Sequence, residues 1–494
     1  MGSAYENLDK AFKKMHRLGH LGQIAAWDQA AMMPPGGNDA RGEALAELKI
    51  LVHGMLTQPA IGVDLNQAAA EETGVFERAS LREMRRAWRN STVLPEALIE
   101  SMSLAGSRCE HTWRSQRPQN DWNGFLANFE PVLAFSRQEA EILSQALGVR
   151  PYDALMDKFD PGSRSAEVDA AFADLKTWLP GLIQRALARQ ADLPVIKPQG
   201  KFPVAAQKEL ALDVMRLLGF DFNHGRLDVS AHPFCGGVSD DVRITTLYDE
   251  SDFARSLMGV VHETGHARYE QGLPRQWLHL PVGRGRSMAI HESQSLSFEM
   301  QLGAHPGFVG LLSPMLIKKF GAQDAFEPEN LRRLFTRVEP GFIRVNADEV
   351  TYPAHIILRY EIERALIEGE IEARDIPALW DEKMMAYLGI DTRGNFKDGP
   401  LQDIHWTDGS FGYFPSYTLG AMHAAQFFAT MRVAYPDLDA RIAQGDLSPI
   451  FEWLSTNIWS KASSLEASEL VEQATGSTLD ARHYRRHLER RYLS

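Results

Sequence analysis

Two histidines four positions apart form the chain's clearest chemical pattern, the pentapeptide His262-Glu263-Thr264-Gly265-His266. In an α-helix, side chains four apart lie on one face, so both imidazoles can reach a single metal ion at about 2.0–2.1 Å. Glu263 lies about 100° further round the helix, where its carboxylate can address a water on that ion. The pattern predicts a zinc site with Glu263 as general base. A solvated glutamate between two locally hydrogen-bonded histidines is the plainer alternative.

A third ligand must come from elsewhere, because a catalytic zinc ion usually has three protein ligands and one open position. Metzincins require Gly and His shortly after the pentapeptide, but these positions hold Tyr269 and Gly272, which excludes that class. In the thermolysin-like class the third ligand is a glutamate on a later helix. Glu292, 26 positions after His266, opens such a segment and is therefore the predicted ligand.

Glu299 is the rival ligand, since it lies two turns beyond Glu292 on the same helical face. Spacing favours Glu292, and Glu299 would then accept a hydrogen bond from a ligand imidazole, as carboxylates commonly do at zinc sites. His291 points about 100° away from Glu292, so we predict that it is structural or faces the substrate. Nitrogen and oxygen ligands also suit Co²⁺ or Mn²⁺, which remain alternatives to zinc.

The elements that must position these residues are mostly helical. Phe253, Leu257 and Val261 recur at helical spacing directly before the metal motif, which indicates an amphipathic helix. The same periodicity predicts helices over 252–271, over 166–189 as one kinked helix or two around Pro180, around 356–366 and across 454–474.

One strand is clearly indicated before the metal helix. Over 241–248, β-branched Val242, Ile244 and Thr246 alternate with Arg243 and Thr245, after a turn-like segment at 235–237. We therefore expect a small β-sheet beside the active-site helix. If this strand is an edge strand beside a cleft, it can pair with an extended peptide; otherwise it only closes the sheet.

The composition is that of a large globular protein. The chain has 494 residues, of which 44% are hydrophobic and 24% charged, enough to bury a sizeable core. No low-complexity linker or fixed-period repeat interrupts it, so we predict a single catalytic domain over 1–494. The proline-rich stretch 193–204 is the candidate division between two lobes.

The net charge limits the classes of binding partner, and the cysteine content indicates the cellular compartment. The net charge of −13 is spread along the chain and should repel nucleic-acid phosphates and anionic membranes. The sequence contains no apolar run of about 18 residues and no ordinary secretory signal, so we expect neither a membrane span nor secretion. Only Cys109 and Cys235 are present, without Cys-x-x-Cys spacing, which favours the reducing cytoplasm.

Several other motifs occur in a fixed order around the metal motif. They are Trp27-Asp28-Gln29 with 32–36, His232-Pro233-Phe234, Asp241-Val242-Arg243-Ile244-Thr245, His291-Glu292-Ser293-Gln294, 343–348, 399–406 and 412–417. Together they resemble the motifs of the carboxypeptidase Taq family of zinc metallocarboxypeptidases, over nearly the whole chain. The resemblance implies a mainly helical fold around a deep cleft, peptide substrates and a homodimer.

The resemblance also implies roles for individual residues. Glu292 becomes the third metal ligand and Glu263 the general base, while Arg344 and the 402–406 segment close the cleft around the C-terminal end of a peptide. The implied substrate contacts are Arg344, Arg243, His232, Gln402, His405 and Tyr413. The two arginines are the candidate partners of a free carboxylate, and a tyrosine of the 412–417 segment is a candidate donor to the transition state.

Each of these residues has a plainer interpretation when taken alone. Arg344 and Asp348 could form an ion pair across one helical turn. Gln402 and Asp403 could cap a helix, with His405 hydrogen-bonded in the core. At the level of the whole protein, an endopeptidase would share the metal site but lack the carboxylate contact. A noncatalytic protein would have lost a ligand or the base, and here all four residues are present.

Overall fold

The computed structural model describes residues 3–71, 74–230 and 232–494. It is mainly α-helical with one small sheet, which confirms the predicted fold class. The helices before the sheet are α1 (Ala4–Ala31), α2 (Asn38–Leu56), α3 (Pro59–Ala68), α4 (Val75–Thr92), α5 (Glu96–Gln116), α6 (Trp122–Leu147), α7 (Pro151–Met156), α8 (Ser165–Gln190) and α9 (Val204–Leu217). The strands are β1 (Gly225–Val229), β2 (Cys235–Val238) and β3 (Asp241–Thr246).

The helices after the sheet carry the metal motif and most of the remaining core. They are α10 (Phe253–Gly272), α11 (Met288–Leu296), α12 (Pro306–Phe320), α13 (Pro328–Phe335), α14 (Tyr352–Ile367), α15 (Ile376–Leu388), α16 (Pro415–Ala434), α17 (Leu438–Ala443), α18 (Ser448–Asn457), α19 (Ala467–Thr475) and α20 (Ala481–Leu493). Within the described ranges, none of the helices combines the length and apolarity needed to cross a bilayer.

Helix α10 forms where its periodicity predicts it. The Asp252 carboxylate accepts hydrogen bonds from the first free backbone N–H groups and so caps the helix. Phe253, Leu257 and Val261 are buried in a hydrophobic cluster, which fixes the face of the helix that points away from the core. The face that carries His262 and His266 is therefore turned toward α11 and the cleft.

Two glycines allow the helices around the site to lie unusually close together. A Cβ atom at Gly265 on α10 would lie 2.5 Å from the carbonyl oxygen of Gln294 on α11. A Cβ atom at Gly420 on α16 would lie 2.7 Å from the Cβ of Glu292. A larger residue at either position would push α11, and with it Glu292, away from the histidines.

Strand β3 is the central strand of the sheet, in the order β1-β3-β2. It pairs in parallel with β1 and antiparallel with β2. The alternative in which this strand is a peptide-binding edge is therefore wrong, because both of its edges are already hydrogen-bonded. The prediction of a turn at 235–237 is also wrong, since these residues belong to the edge strand β2. Glycines are poor strand formers, but pairing of their backbone with β3 decides the conformation here.

The other helix predictions have mixed outcomes. Helix α8 runs through Pro180 without interruption, so the one-helix alternative holds, and α14 contains the predicted 356–366 helix. The prediction of a helix across 454–474 is wrong. Helix α18 ends at Asn457, Ala462 adopts a positive φ of 47°, and α19 begins only at Ala467.

Helix α11 lies between the two largest hydrophobic clusters. Ala289 and Leu296 belong to one cluster, and Ile290 belongs to the other. The residues between α8 and α9, 191–203, contain no helix or strand, and they include the proline-rich stretch 193–204 except Val204, which begins α9. Whether that stretch divides the predicted single domain into two lobes stays a prediction.

Candidate metal centre

The structure brings the three predicted metal ligands together. His262 and His266 lie one turn apart on α10 and Glu292 lies on α11, with ligand atoms all within 4.8 Å of one another. The Nε2 atoms of His262 and His266 lie 3.8 and 3.5 Å from the two carboxylate oxygens of Glu292. Ligand atoms at about 2.0–2.1 Å from a tetrahedral ion are separated by about 3.3 Å, so the arrangement is close to coordination geometry.

Each ligand imidazole is oriented by a hydrogen bond at its other nitrogen. His262 Nδ1 lies 2.7 Å from Glu299 Oε2, so Glu299 supports a ligand from behind, as the sequence suggested. Glu299 belongs to a π-helical segment, Ser297–Gly303, which follows α11 directly. Helices of this type often occur at functional sites, and the wider turn changes the direction in which Glu299 projects.

His266 is oriented by a longer chain of contacts. Its Nδ1 lies 2.7 Å from Nδ1 of His291, whose Nε2 lies 2.9 Å from Glu270 Oε1. A histidine that binds metal through Nε2 keeps its proton on Nδ1. His266 therefore donates to His291, His291 donates to Glu270, and Ser239 Oγ donates to the other oxygen of Glu270 at 2.7 Å. His291 therefore has a structural role, as one of the two predicted alternatives had it.

Several carboxylates lie close together at this buried site. Burial raises the pKa of the Glu263 carboxyl to about 7; His262 opposes the shift, and Glu292 and Glu299 add to it. Burial also raises the pKa of Glu292. Three carboxylates around two imidazoles are costly to bury without a compensating cation, so the donor set fits a divalent metal ion.

Arg344 lies in a second polar cluster beside this site. It is 6% exposed, and its Nε and Nη2 donate to Asp403 Oδ1 at 3.1 and 3.0 Å. Its Nη1 donates to the Tyr352 hydroxyl at 3.2 Å, and its backbone N–H donates to Gln402 Oε1 at 2.7 Å. The alternative ion pair with Asp348 is wrong. Residues 344–346 form a short 3₁₀ turn, and the Asp348 carboxylate instead accepts backbone N–H groups just before α14.

The predicted residues of the 402–417 region face this cluster. Gln402 bridges three backbone carbonyls and the N–H of Arg344, so it holds the loop instead of capping a helix. His405 is not a satisfied core histidine, because its buried Nδ1 has no hydrogen-bond partner among the described residues. Burial lowers the pKa of His405 to about 4, so it is neutral. Its ring stacks 6.3 Å from that of Tyr413.

Tyrosine hydroxyls line the side of the cleft near Glu292. Burial raises the pKa of Tyr413, and the charges of Tyr417 and Glu292 add to the shift. Burial likewise raises the pKa of Tyr417 to about 12, although Arg344 opposes it. Both hydroxyls therefore stay protonated and can donate hydrogen bonds. Tyr352 was not predicted from the sequence as part of the site.

The other two predicted contacts lie apart from these clusters. Arg243 donates from Nε and Nη2 to Asp241 at 3.0 and 2.6 Å, and its guanidinium lies 4.3 Å from the ring centre of Trp27. His232 is exposed. In the parts of the chain that the structure describes, no hydrogen bond, ion pair or ring contact joins either residue to the metal ligands or to Arg344.

A fully buried arginine behind Asp403 was missed. Arg359 Nη1 lies 2.6 Å from Glu363, its Nε lies 3.8 Å from Asp403 Oδ2, and its guanidinium lies 3.1 Å from the ring centre of Trp406. The sequence held one signal for it: Arg359 and Glu363 lie four apart in a helix whose other positions are largely apolar. Opposite charges four positions apart in an otherwise apolar helix indicate a buried ion pair.

Comparison with known proteins identifies the family. The model of the carboxypeptidase Taq (M32) metallopeptidases matches residues 7–492. Thermostable carboxypeptidase 1 of Thermus thermophilus is 38% identical over 506 residues, covering 100% of this chain and 99% of that protein. Carboxypeptidase 1 of Bacillus subtilis is 33% identical and covers 97% of each chain. The solved structure of Trypanosoma cruzi metallocarboxypeptidase 1 has a TM-score of 0.97 at 45% identity, with 99% of each chain covered. The chain therefore belongs to the carboxypeptidase Taq (M32) family and is a metallocarboxypeptidase.

Proposed function

We propose that this chain removes the C-terminal residue of peptides with a zinc ion held by His262, His266 and Glu292. The observation that carries the proposal is the convergence of their ligand atoms within 4.8 Å. Hydrogen bonds at both imidazole Nδ1 atoms support it, because they leave each Nε2 free to bind metal. Two nitrogen donors and one oxygen donor suit zinc, with Co²⁺ or Mn²⁺ as the alternatives.

Glu263 is proposed to act as the general base. A zinc ion bound here supplies Lewis acidity, which activates a water and polarises the scissile carbonyl. Glu263 takes the proton of the attacking water and then delivers it to the leaving amine. Burial raises the pKa of this carboxyl to about 7 in the site without metal, and the charge of a bound zinc ion would lower it, so Glu263 is ionised near neutral pH and can accept the proton.

A tyrosine is proposed to stabilise the oxyanion of the transition state. Tyr413 and Tyr417 lie 5.1 Å apart between ring centres, and the charge of Glu292 influences the pKa of both. Their protonated hydroxyls can donate to developing negative charge. One such donor is typically worth roughly 3–4 kcal/mol.

Arg344 is proposed to bind the free carboxylate of the substrate. Its Nε and Nη2 are engaged by Asp403, but among the described residues Nη1 donates only to the neutral hydroxyl of Tyr352. Nη1 can therefore donate to a substrate carboxylate in place of the Tyr352 hydroxyl. Arg243 is the weaker candidate, because Asp241 already binds two of its nitrogens through both carboxylate oxygens. His232, Gln402 and His405 are the other proposed substrate contacts.

The direct experiment combines metal analysis with peptide digestion. We expect about one zinc per chain and a ladder of products shortened from the C-terminus in mass spectra. Amidation of the C-terminus should depress the rate sharply. Internal fragments formed at equal rates from free and amidated peptides would instead indicate an endopeptidase and contradict the proposal.

Two coarser expectations also remain proposals. We propose a cytoplasmic location, supported by the free cysteines Cys109 and Cys235, which suit a reducing compartment. We also propose a homodimer, supported by the family resemblance alone. Light scattering during size-exclusion chromatography at several concentrations measures the mass directly, and a monomeric mass throughout would reject the dimer.

A further inference from the structure

A cavity of about 660 Å³ adjoins the metal site on the side of His266. Helices α1, α2 and α4 form one wall, which is largely apolar and includes Phe12, Met15 and Leu56. Strand β2, which packs against α1, and the turn after it form another part of the lining. His291 and Glu270, the residues that orient His266, also line the cavity, so it begins directly behind that ligand.

The cavity and the proposed carboxylate contact adjoin different ligands. Arg344 and the tyrosines lie beside Glu292, whereas the cavity is reached past His266 and His291. A peptide whose C-terminal carboxylate binds at Arg344 must cross the metal ligands and continue away from Arg344. The cavity beside His266 can therefore receive the residues upstream of the cleaved bond.

The wall made by β2 suits an extended chain. Strand β2 pairs only with β3, so its other edge is unpaired within the three-stranded sheet. Gly236 and Gly237 line the cavity without side chains that would hold a peptide backbone away.

The charged groups of the cavity are mostly neutralised, with one exception. Arg286 forms ion pairs with Glu83 at 2.9 Å and with Glu466 at 2.6 Å. Arg86 lies 3.8 Å from Asp157. Glu270 is bound by His291 and a serine.

Arg284 is the exception. It lines the cavity and, within the described ranges, its side chain forms neither an ion pair nor a hydrogen bond. Burial lowers the pKa of Arg284, and the charge of Glu270, which acts from beyond ion-pair distance, opposes this shift. Three histidines, His16, His20 and His279, line the same region. Burial lowers the pKa of His16, and the charge of Arg284 adds to this, which places positive charge at this end of the cavity. Asp240 lies at the same end of the cavity, where its charge raises the pKa of His16.

We propose that this cavity binds the upstream residues of the substrate and that Arg284 forms an ion pair there with an aspartate or glutamate side chain. The inference rests on the proposed function and adds a substrate class to it: peptides that carry an acidic residue about two to four positions before the cleaved bond. An unpaired guanidinium in a concave site gains most from a carboxylate, because the planar fork matches both oxygens.

The test compares alanine-based hexapeptides that differ at one position. Glu, Gln or Lys is placed two, three or four residues before the cleaved bond, and kcat/KM is measured by mass spectrometry for the zinc-loaded enzyme. We expect wild type to prefer Glu over Gln about tenfold at one of these positions, and less at high salt. In Arg284→Gln the preference should fall to about one. In Arg284→Glu it should reverse in favour of Lys.

Arg275→Gln is the matched control. Arg275 is exposed, lies outside the cavity and contacts His224, so its loss should leave the Glu preference unchanged. Cleavage of all peptides at equal rates by wild type would overturn the role of Arg284 while leaving the proposed function intact. If Arg284→Glu cleaves the alanine peptide normally but still prefers Glu, the role of Arg284 is likewise overturned and the proposed function stands. Failure of wild type to cleave any free-acid peptide would overturn both proposals.

Discussion

The contact between Arg344 and the substrate carboxylate can be tested by replacing one cation with another. Arg344→Ala is a poor choice, because it would leave the buried Asp403 without its closest partner, and breaking a buried pair typically costs about 3–5 kcal/mol of stability. Arg344→Lys keeps a positive charge beside Asp403. It loses the planar fork that can bind Asp403 through two nitrogens and still present a third to substrate.

The contacts of Arg344 set the expected difference in rate between free-acid and amidated peptides. Two of the three guanidinium nitrogens are occupied by Asp403, so the substrate can gain one charge-assisted hydrogen bond through Nη1 and not a bidentate pair. One such bond is worth about 1.5–3 kcal/mol. We therefore expect wild type to hydrolyse free-acid peptides about 10- to 100-fold more efficiently than their amides, and Arg344→Lys to lose most of this ratio.

The assay is a double-mutant cycle on kcat/KM. Wild type and Arg344→Lys are each measured on a peptide and on its C-terminal amide, and the ratio of ratios isolates the contact. Arg243→Lys is the matched control, since Arg243 is bound by Asp241 and should leave the ratio unchanged. If Arg344→Lys discriminates as well as wild type while Arg243→Lys does not, the carboxylate binds at Arg243 and our placement of the substrate is reversed.

Three further predictions concern the metal site and its support. Glu263→Gln should retain zinc yet lose about 10²–10⁴-fold or more in kcat, because an amide cannot accept the water's proton; full activity would reject Glu263 as the base. Glu292→Ala should lower zinc occupancy more than Glu299→Ala, whose removal typically costs about 10–100-fold in affinity; the opposite order, measured by chelator competition, would exchange their roles. Burial alone would raise the pKa of Glu349, but Arg491, His487 and Tyr492 together outweigh it and hold this pKa at about 2, against 4.5 normally. The ionised carboxyl then contributes about 3 kcal/mol of stability above pH 4.5, which is lost as the pH falls toward 2. Denaturant unfolding of the metal-free protein should show Glu349→Gln less stable at pH 7, with the difference narrowing below pH 4.5; a constant difference would contradict this linkage.

The parts of the site that the sequence predicts are those fixed by local geometry. The four-residue spacing of His262 and His266 places both on one face of any helix, and the apolar residues before them are enough to define that helix. Glu292 follows from spacing and a plausible second helix. The strand at 241–246 follows from its alternation of β-branched residues.

The parts that could not be predicted depend on contacts between distant segments. The order of strands in the sheet is decided by β1, whose pairing with β3 no local pattern specifies. Arg344 takes as its partner Asp403, 59 positions away, in place of Asp348 on its own segment. A helical wheel places Glu299 near Glu292, but the π-helical turn that directs it to His262 is invisible to periodicity of 3.6 residues.

Arg491 of the C-terminal helix α20 contacts both the segment that carries Glu299 and the segment that follows Arg344. Arg491 donates to the backbone carbonyls of Met300 and Gln301, within the π-helical segment that carries Glu299. The same guanidinium lies 2.9 Å from Glu349, which follows Arg344 by five positions. One buried ion pair therefore connects the segment that orients a metal ligand to the segment that carries the proposed carboxylate contact. Because peptide hydrolysis requires the scissile carbonyl and the substrate carboxylate to be held at a fixed separation, a rigid link between these two segments is what the reaction needs.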